Sequence, residues 1–132
     1  MSNCIEHIGL VVKDSKAMAR WYYNALGFEI LNAFETPNGH VAFIQCAQTG
    51  LIFELITDHT LAPVEEALSH PLQLHLAFKS IEIEADKERL LEMGATFVTD
   101  CPTADPDARV LIVKDPWGNF IQLARRKEDF YK

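Results

Sequence analysis

Long apolar runs, paired cysteines and clustered positive charge are what this 132-residue chain has least of, and each shortage closes off a class of function. No stretch approaches the roughly 20 apolar residues that span a bilayer. Met1-Ser2-Asn3-Cys4 also lacks the charged and apolar regions of a secretory signal, so a soluble, cytoplasmic protein without membrane partners is expected. The three cysteines, Cys4, Cys46 and Cys101, form no CxxC and leave one unpaired under any pairing. Reduced thiols are therefore expected, not disulfides or a zinc cluster. A nucleophilic role for Cys46 or Cys101 would need a specific histidine partner that spacing alone does not supply. Lys and Arg number 12 against 19 Asp and Glu, a net charge of −7, and only Arg125-Arg126-Lys127 cluster. Phosphate binding needs grouped cations, so nucleic acid is excluded as a partner and the basic cluster reads as a solvated tail.

What the chain does have is a globular balance, with 48% hydrophobic residues and length enough for one domain with a real core. Two parts follow the same order. Residues 4–12 alternate as a strand, and Asp14 can cap a helix whose Met18, Trp21, Tyr22 and Ala25 form one stripe ended by Gly27. Strands are expected at about 28–35, 40–47 and 50–57, with the turn Thr36-Pro37-Asn38-Gly39 between the first two. A linker at about 58–71 contains Pro63, which can open a short helix through Ser69. A strand at 72–79, a helix at about 82–93 ended by Gly94, and strands at about 95–100, 109–114 and 119–125 then repeat the order. Asp115-Pro116-Trp117-Gly118 is the last tight turn. The expected fold class is α+β: two βαβββ modules, about 4–57 and 72–125, in a single domain with a tail over 126–132.

Two polar pairs recur at one spacing. His7 and Glu54 lie 47 positions apart, as do His75 and Gln122, and each sits in an apolar run where an unpaired polar group is costly. Taken singly, a strand histidine is more often a hydrogen-bonded structural residue than a ligand. Taken together, the four are the candidate ligands of one divalent metal: two imidazoles, a carboxylate and an amide oxygen suit Ni²⁺, Co²⁺, Zn²⁺, Mn²⁺ or iron. The amide of Gln122 can equally bond a neighbouring strand. Gly9 and Ala77, two positions beyond each histidine, are small and would leave space beside the ligands. His40, His59 and His70 read as ordinary surface histidines, and Trp21 and Tyr22 as core. Phe34, Phe43, Phe53 and Phe97 read as strand core that could also line a cavity. Glu82, Glu84, Asp86, Lys87, Glu88 and Arg89 read as a solvated helix face.

The segments Ile5-Glu6-His7-Ile8-Gly9-Leu10-Val11-Val12-Lys13-Asp14, Trp21-Tyr22-Tyr23-Asn24-Ala25-Leu26-Gly27-Phe28 and Asp115-Pro116-Trp117-Gly118-Asn119-Phe120-Ile121-Gln122 resemble the vicinal oxygen chelate superfamily. This is the glyoxalase–bleomycin resistance–dioxygenase family, and the chain is most similar to its short glyoxalase I-like members over about residues 4–125. The resemblance implies paired βαβββ modules forming a half-open curved mixed sheet around a central cavity and a divalent metal. It places the ligands at His7, Glu54, His75 and Gln122, and it implies a homodimer. Two departures stand out. Glyoxalase I proper usually carries a carboxylate at the position of Gln122, and the family's glutathione-recognition arginine falls on Val11, so glutathione is a doubtful cofactor here.

The chemistry expected of such a centre is proton transfer. A divalent ion with Glu54 as its one carboxylate leaves the site net positive, suited to an enolate or bidentate oxyanion, with Glu54 as the catalytic base. The leading expectation is a lyase or isomerase of glyoxalase I type, lactoylglutathione lyase-like, on a small carbonyl or hydroxyacyl substrate. Asp58, four residues on, is a lesser candidate to assist. A non-catalytic drug- or metabolite-binding protein of bleomycin-resistance type is the alternative, and its acidic surface would suit a cationic ligand. An iron-dependent extradiol-type dioxygenase is a third reading, weakened because the carboxylate stands on a different strand from the one that family's dioxygenases use.

Overall fold

Local chemistry sets the first helix. In the computed structural model, which describes residues 3–130, the Asp14 carboxylate accepts the Ala17 N–H at 3.0 Å and so caps α1 (Ser15–Leu26). Gly27 closes it at φ 71°, a left-handed conformation that costs glycine little. Met18, Trp21, Tyr22 and Ala25 are buried, as their spacing predicts.

That stripe packs on a four-stranded mixed sheet built from β1 (Ile8–Val11), β2 (Glu29–Thr36), β3 (Gly39–Gln45) and β4 (Ile52–Asp58). The spatial order is β1-β4-β3-β2, with β1 parallel to β4 and the other pairs antiparallel. Alternation divides the sheet into two faces. Leu10, Ala42, Ile44, Phe53 and Leu55 are buried with the helix. Gly9, Phe43 and Glu54 lie in one row on the opposite face, which stays partly open. The short helix α2 (Val64–Ala67) follows, its first turn bonded to the Pro63 carbonyl. It stops two residues before the expected Ser69.

The second half repeats the plan with β5 (Leu76–Lys79), α3 (Ile83–Glu92), β6 (Thr96–Cys101), β7 (Arg109–Lys114) and β8 (Phe120–Arg125), in the order β5-β8-β7-β6. Ile83 and Leu90 of α3 are buried, as are Leu111, Val113, Ile121 and Leu123 on alternate positions of β7 and β8. Each such side chain contributes roughly 1.5–3 kcal/mol by leaving water. At the last hairpin, the buried Asp115 carboxylate accepts the Trp117 and Asn119 N–H groups at 2.9 and 2.8 Å, and Gly118 takes φ 95°.

The fold class is thus α+β, with the expected βαβββ order in both halves, and the chain divides into two compact units, Met1–Ala67 and Leu68–Lys132. The repeat extends to hydrogen-bond register. Gly9 faces Glu54 across β1 and β4, and Ala77 faces Gln122 across β5 and β8. Both outer strands carry a register shift at matching places, between Ile30 and Asn32 and between Phe97 and Thr99. The strands expected from residues 4 and 72 begin instead at Ile8 and Leu76, because pairing starts only where β4 and β8 run alongside. No described helix is long and apolar enough to cross a membrane.

Candidate metal centre

His7 lies one residue ahead of β1, and Glu54 sits in the middle of β4. The parallel pairing of these strands brings their side chains together, with His7 Nε2 3.5 Å from Glu54 Oε1. Both groups are part-buried, at 33% and 25% side-chain exposure, so they are reachable yet poorly hydrated. The other ring nitrogen, Nδ1, stands 3.0 Å from Glu6 Oε1. A carboxylate only accepts, so Nδ1 carries the proton and donates it to Glu6. That leaves Nε2 as the ring nitrogen turned toward Glu54. A ring nitrogen and a carboxylate oxygen so placed can share a proton or donate together to one cation. Their 3.5 Å separation exceeds the roughly 2.7–3.2 Å of an N–H···O bond. It matches the spread of two donors each about 2.1 Å from one tetrahedral ion, about 3.4 Å. The Phe43 ring stands edge-on to His7 at 5.6 Å between centroids and walls one side of the pair.

The second unit holds His75 and Gln122 in corresponding places. His75 again lies one residue ahead of its strand, and its Nδ1 donates to the Pro71 carbonyl at 2.8 Å, so Nε2 is the nitrogen that would meet a cation. Gln122 is part-buried in β8, between Ala77 and Ile112 in register. Each unit therefore supplies one candidate pair. Among the described residues no group of three or more His, Cys, Asp or Glu side chains is placed to hold a metal ion.

Other sequence candidates take structural roles. Asp58 ends β4 with its carboxylate accepting the Thr60 hydroxyl and N–H at 2.6 and 2.9 Å, and these bonds hold it below the usual carboxylate range. It serves the turn. The Cys46 thiol points to Gln48 Oε1 at 3.5 Å, and burial, aided by the nearby Asp100 charge, pushes the Cys101 thiol up. The Cys101 environment therefore disfavours a thiolate. Phe53 and Tyr22 are core, whereas Phe34 and Phe97 are exposed by about 40%. Lys87 pairs with Glu84, and Arg89 with Asp86, along α3.

His40 departs from the surface reading. Its Nδ1 lies 2.8 Å from the hydroxyl of Ser15, a fully buried residue whose proton goes to the His40 carbonyl at 2.9 Å. Nδ1 must therefore donate, so His40 does not activate Ser15 as a nucleophile. Thr57 joins the cluster by accepting the Ser15 N–H at 2.7 Å and donating to its hydroxyl at 3.0 Å. The cluster ties the start of α1 to the sheet, beside a shallow cavity of about 320 Å³ lined by Lys13, Lys16, Glu35, His40 and His59. No local signal in the sequence marks this arrangement, because its partners are 25 and 42 residues apart.

The family model for the Glyoxalase/Bleomycin resistance protein/Dioxygenase superfamily matches residues 4–123. The chain is 25% identical over 132 residues to the uncharacterized protein YwbC of Bacillus subtilis (strain 168), covering 96% of this chain and all of that one. Among solved structures, it is similar to the genomically encoded fosfomycin resistance protein FosX from Listeria monocytogenes complexed with Mn(II) and sulfate. That match has a TM-score of 0.71 and 20% identity over 95% of this chain and 91% of that one. It is also similar to TnmS3, an antibiotic binding protein from Streptomyces sp. CB03234, with a TM-score of 0.62 and 23% identity over 95% and 99% of the chains.

Proposed function

The chain belongs to the glyoxalase/bleomycin resistance protein/dioxygenase superfamily, and on that footing we propose that it is a divalent-metal-dependent lyase or isomerase of glyoxalase I type. The reaction is proton transfer on a small carbonyl or hydroxyacyl substrate. The observation that carries this reading is the His7–Glu54 pair, whose 3.5 Å separation, with Nδ1 engaged by Glu6, suits two donors to one cation.

In this proposal His7 and Glu54, together with His75 and Gln122 contributed either by the same chain or by the second subunit of a dimer, would hold one divalent ion, a donor set of mixed nitrogen and oxygen that suits Mn²⁺, Zn²⁺, Ni²⁺, Co²⁺ or iron. Such an ion supplies Lewis acidity, polarising a substrate carbonyl and favouring its anionic form. Glu54, the only carboxylate of the four, takes the proton from the carbon beside that carbonyl and returns it. Glu6 and the Pro71 carbonyl hold the two rings in the orientation the site needs. Phe43, Val11 and Ile56, partly exposed on the Glu54 face, keep the proton transfer out of bulk water. With Val11 apolar, no cation at that position recognises a glutathione carboxylate.

A homodimer in the cytoplasm completes the reading. The exposed apolar Ile30, Leu31, Phe97 and Val98 on the outer strands support association, and three free cysteines suit a reducing compartment. Metal analysis of protein purified without an affinity tag, combined with an assay on methylglyoxal and several thiols, tests the proposal. Retained metal and loss of turnover in Glu54→Gln are expected. Metal-free protein whose rate is unchanged in Glu54→Gln overturns it.

A second reading, a metabolite- or drug-binding protein, is favoured by the same partly open face, where the apolar Val11, Phe34, Phe43 and Ile56 lie on the same side of the sheet as Glu54. Tight binding of a cationic drug by metal-free protein, without turnover, selects it.

A further inference from the structure

We propose that Glu6 is a positioning residue for His7, fixing the imidazole tautomer whose bare Nε2 faces Glu54. The inference deepens the metal reading above and rests on it. Glu6 is 87% exposed and makes no contribution to the core, yet its carboxylate lies 3.0 Å from His7 Nδ1. A free neutral imidazole divides its proton between two nitrogens, so its use as a metal donor depends on which nitrogen keeps it. An acceptor behind Nδ1 settles that choice, and a charged acceptor adds negative potential behind the donor ring.

The second unit solves the same problem with a neutral group, the Pro71 carbonyl at 2.8 Å from His75 Nδ1. The two histidines are thus held alike in geometry and unlike in charge. Glu6 and Glu54 give the first pair two carboxylates, whereas the ring partner of His75 is a neutral carbonyl and Gln122 is a neutral amide. The first pair therefore brings more negative charge to a cation than the second, and Glu6 supplies the part of that difference that lies behind the ring.

The test uses Zn²⁺ alone with the full-length chain. Nitrogen-15 NMR of the metal-free protein reads the His7 tautomer directly, and calorimetry reads Zn²⁺ affinity. Glu6→Ala should lose the single tautomer at His7, leave that of His75 unchanged, and weaken Zn²⁺ binding by about tenfold, the lower end of what such outer partners contribute. Glu6→Gln keeps an acceptor without the charge, so it should restore the tautomer with an affinity between the two. Because Glu6 is exposed, both variants should fold as the parent does. Parent protein that binds Zn²⁺, with Glu6→Ala matching it in tautomer and affinity, overturns the role of Glu6 and leaves the metal reading standing. Parent protein that takes up no Zn²⁺ overturns both.

Discussion

Gly9 and Glu54 are register partners across the parallel strands β1 and β4, and a Cβ built on Gly9 would stand 3.5 Å from Glu54 Oε1. That is ordinary van der Waals contact, so one methyl group fits and a larger side chain fills the space in front of the carboxylate. Gly9→Ala should keep the parent's thermal stability and Zn²⁺ affinity within about threefold. Gly9→Leu should fold equally well but lose turnover or ligand binding by at least about tenfold, since it removes room and not structure. Thermal unfolding and calorimetry on both variants check this. Equal binding by Gly9→Leu would show that substrate does not approach along this face.

Gly39 is constrained by backbone instead. A Cβ there would collide with the Thr57 carbonyl oxygen on the neighbouring strand, a group that cannot turn aside without breaking the ladder. Gly39→Ala should destabilise the protein by about 1–3 kcal/mol, the usual cost of forcing extra atoms into a packed site. The urea midpoint should fall while the denaturant slope is kept.

How legible these features are follows from the range of the physics behind them. Asp14 and Gly27 bound α1 through contacts within a turn, so the helix can be read from its own residues. Strand starts cannot be, because Ile8 and Leu76 begin pairing where distant β4 and β8 happen to run. The register shifts at Ile30 and Phe97 leave no mark in the alternation for the same reason. For the site, the matched 47-residue spacing picks out His7 and Glu54, whose side chains the first unit brings together. The Ser15–His40–Thr57 cluster had no such signature, being three ordinary polar residues joined only by the folded sheet.

Ser80 and Asp86 give a pH-dependent prediction. The buried Ser80 hydroxyl donates to Asp86 Oδ2 at 2.5 Å, and Arg89 donates to the other oxygen at 2.6 Å. Burial works to raise the Asp86 carboxyl, but these two bonds and the Arg89 charge outweigh it and hold the group below its ordinary value. A carboxylate depressed by folding stabilises above its unfolded pKa, and that stability is lost as pH falls through the folded value. Asp86→Asn should therefore be less stable than the parent at neutral pH, by about 1 kcal/mol as for one net hydrogen bond. The gap should begin to narrow below about pH 4, where the unfolded carboxyl takes up its proton, and close as pH falls through the lower folded value. Denaturant titrations at pH 7 and pH 3 check the sign, and a gap that widens in acid would refute the assignment.

Gln122 offers the most direct handle on the proposed centre, because it stands where a charge can be added without changing shape. It is part-buried in β8, opposite Ala77, whose small side chain leaves it room. Gln122→Glu keeps the length of the side chain and replaces an amide oxygen with a carboxylate, taking the centre from net positive to neutral with a divalent ion bound. If Gln122 is a ligand, Zn²⁺ affinity should rise by about tenfold or more, since an anionic oxygen is the stronger donor for such an ion. The added carboxylate also supplies a second base, so exchange of a substrate's carbon-bound proton with solvent deuterium should accelerate relative to the parent. If the amide instead bonds a neighbouring strand, the same substitution places an unpaired charge in a part-buried position, and the protein should lose stability with no gain in Zn²⁺ binding. Calorimetry and urea unfolding on this one variant move in opposite directions under the two alternatives, which makes it a decisive measurement of whether the second pair belongs to the centre.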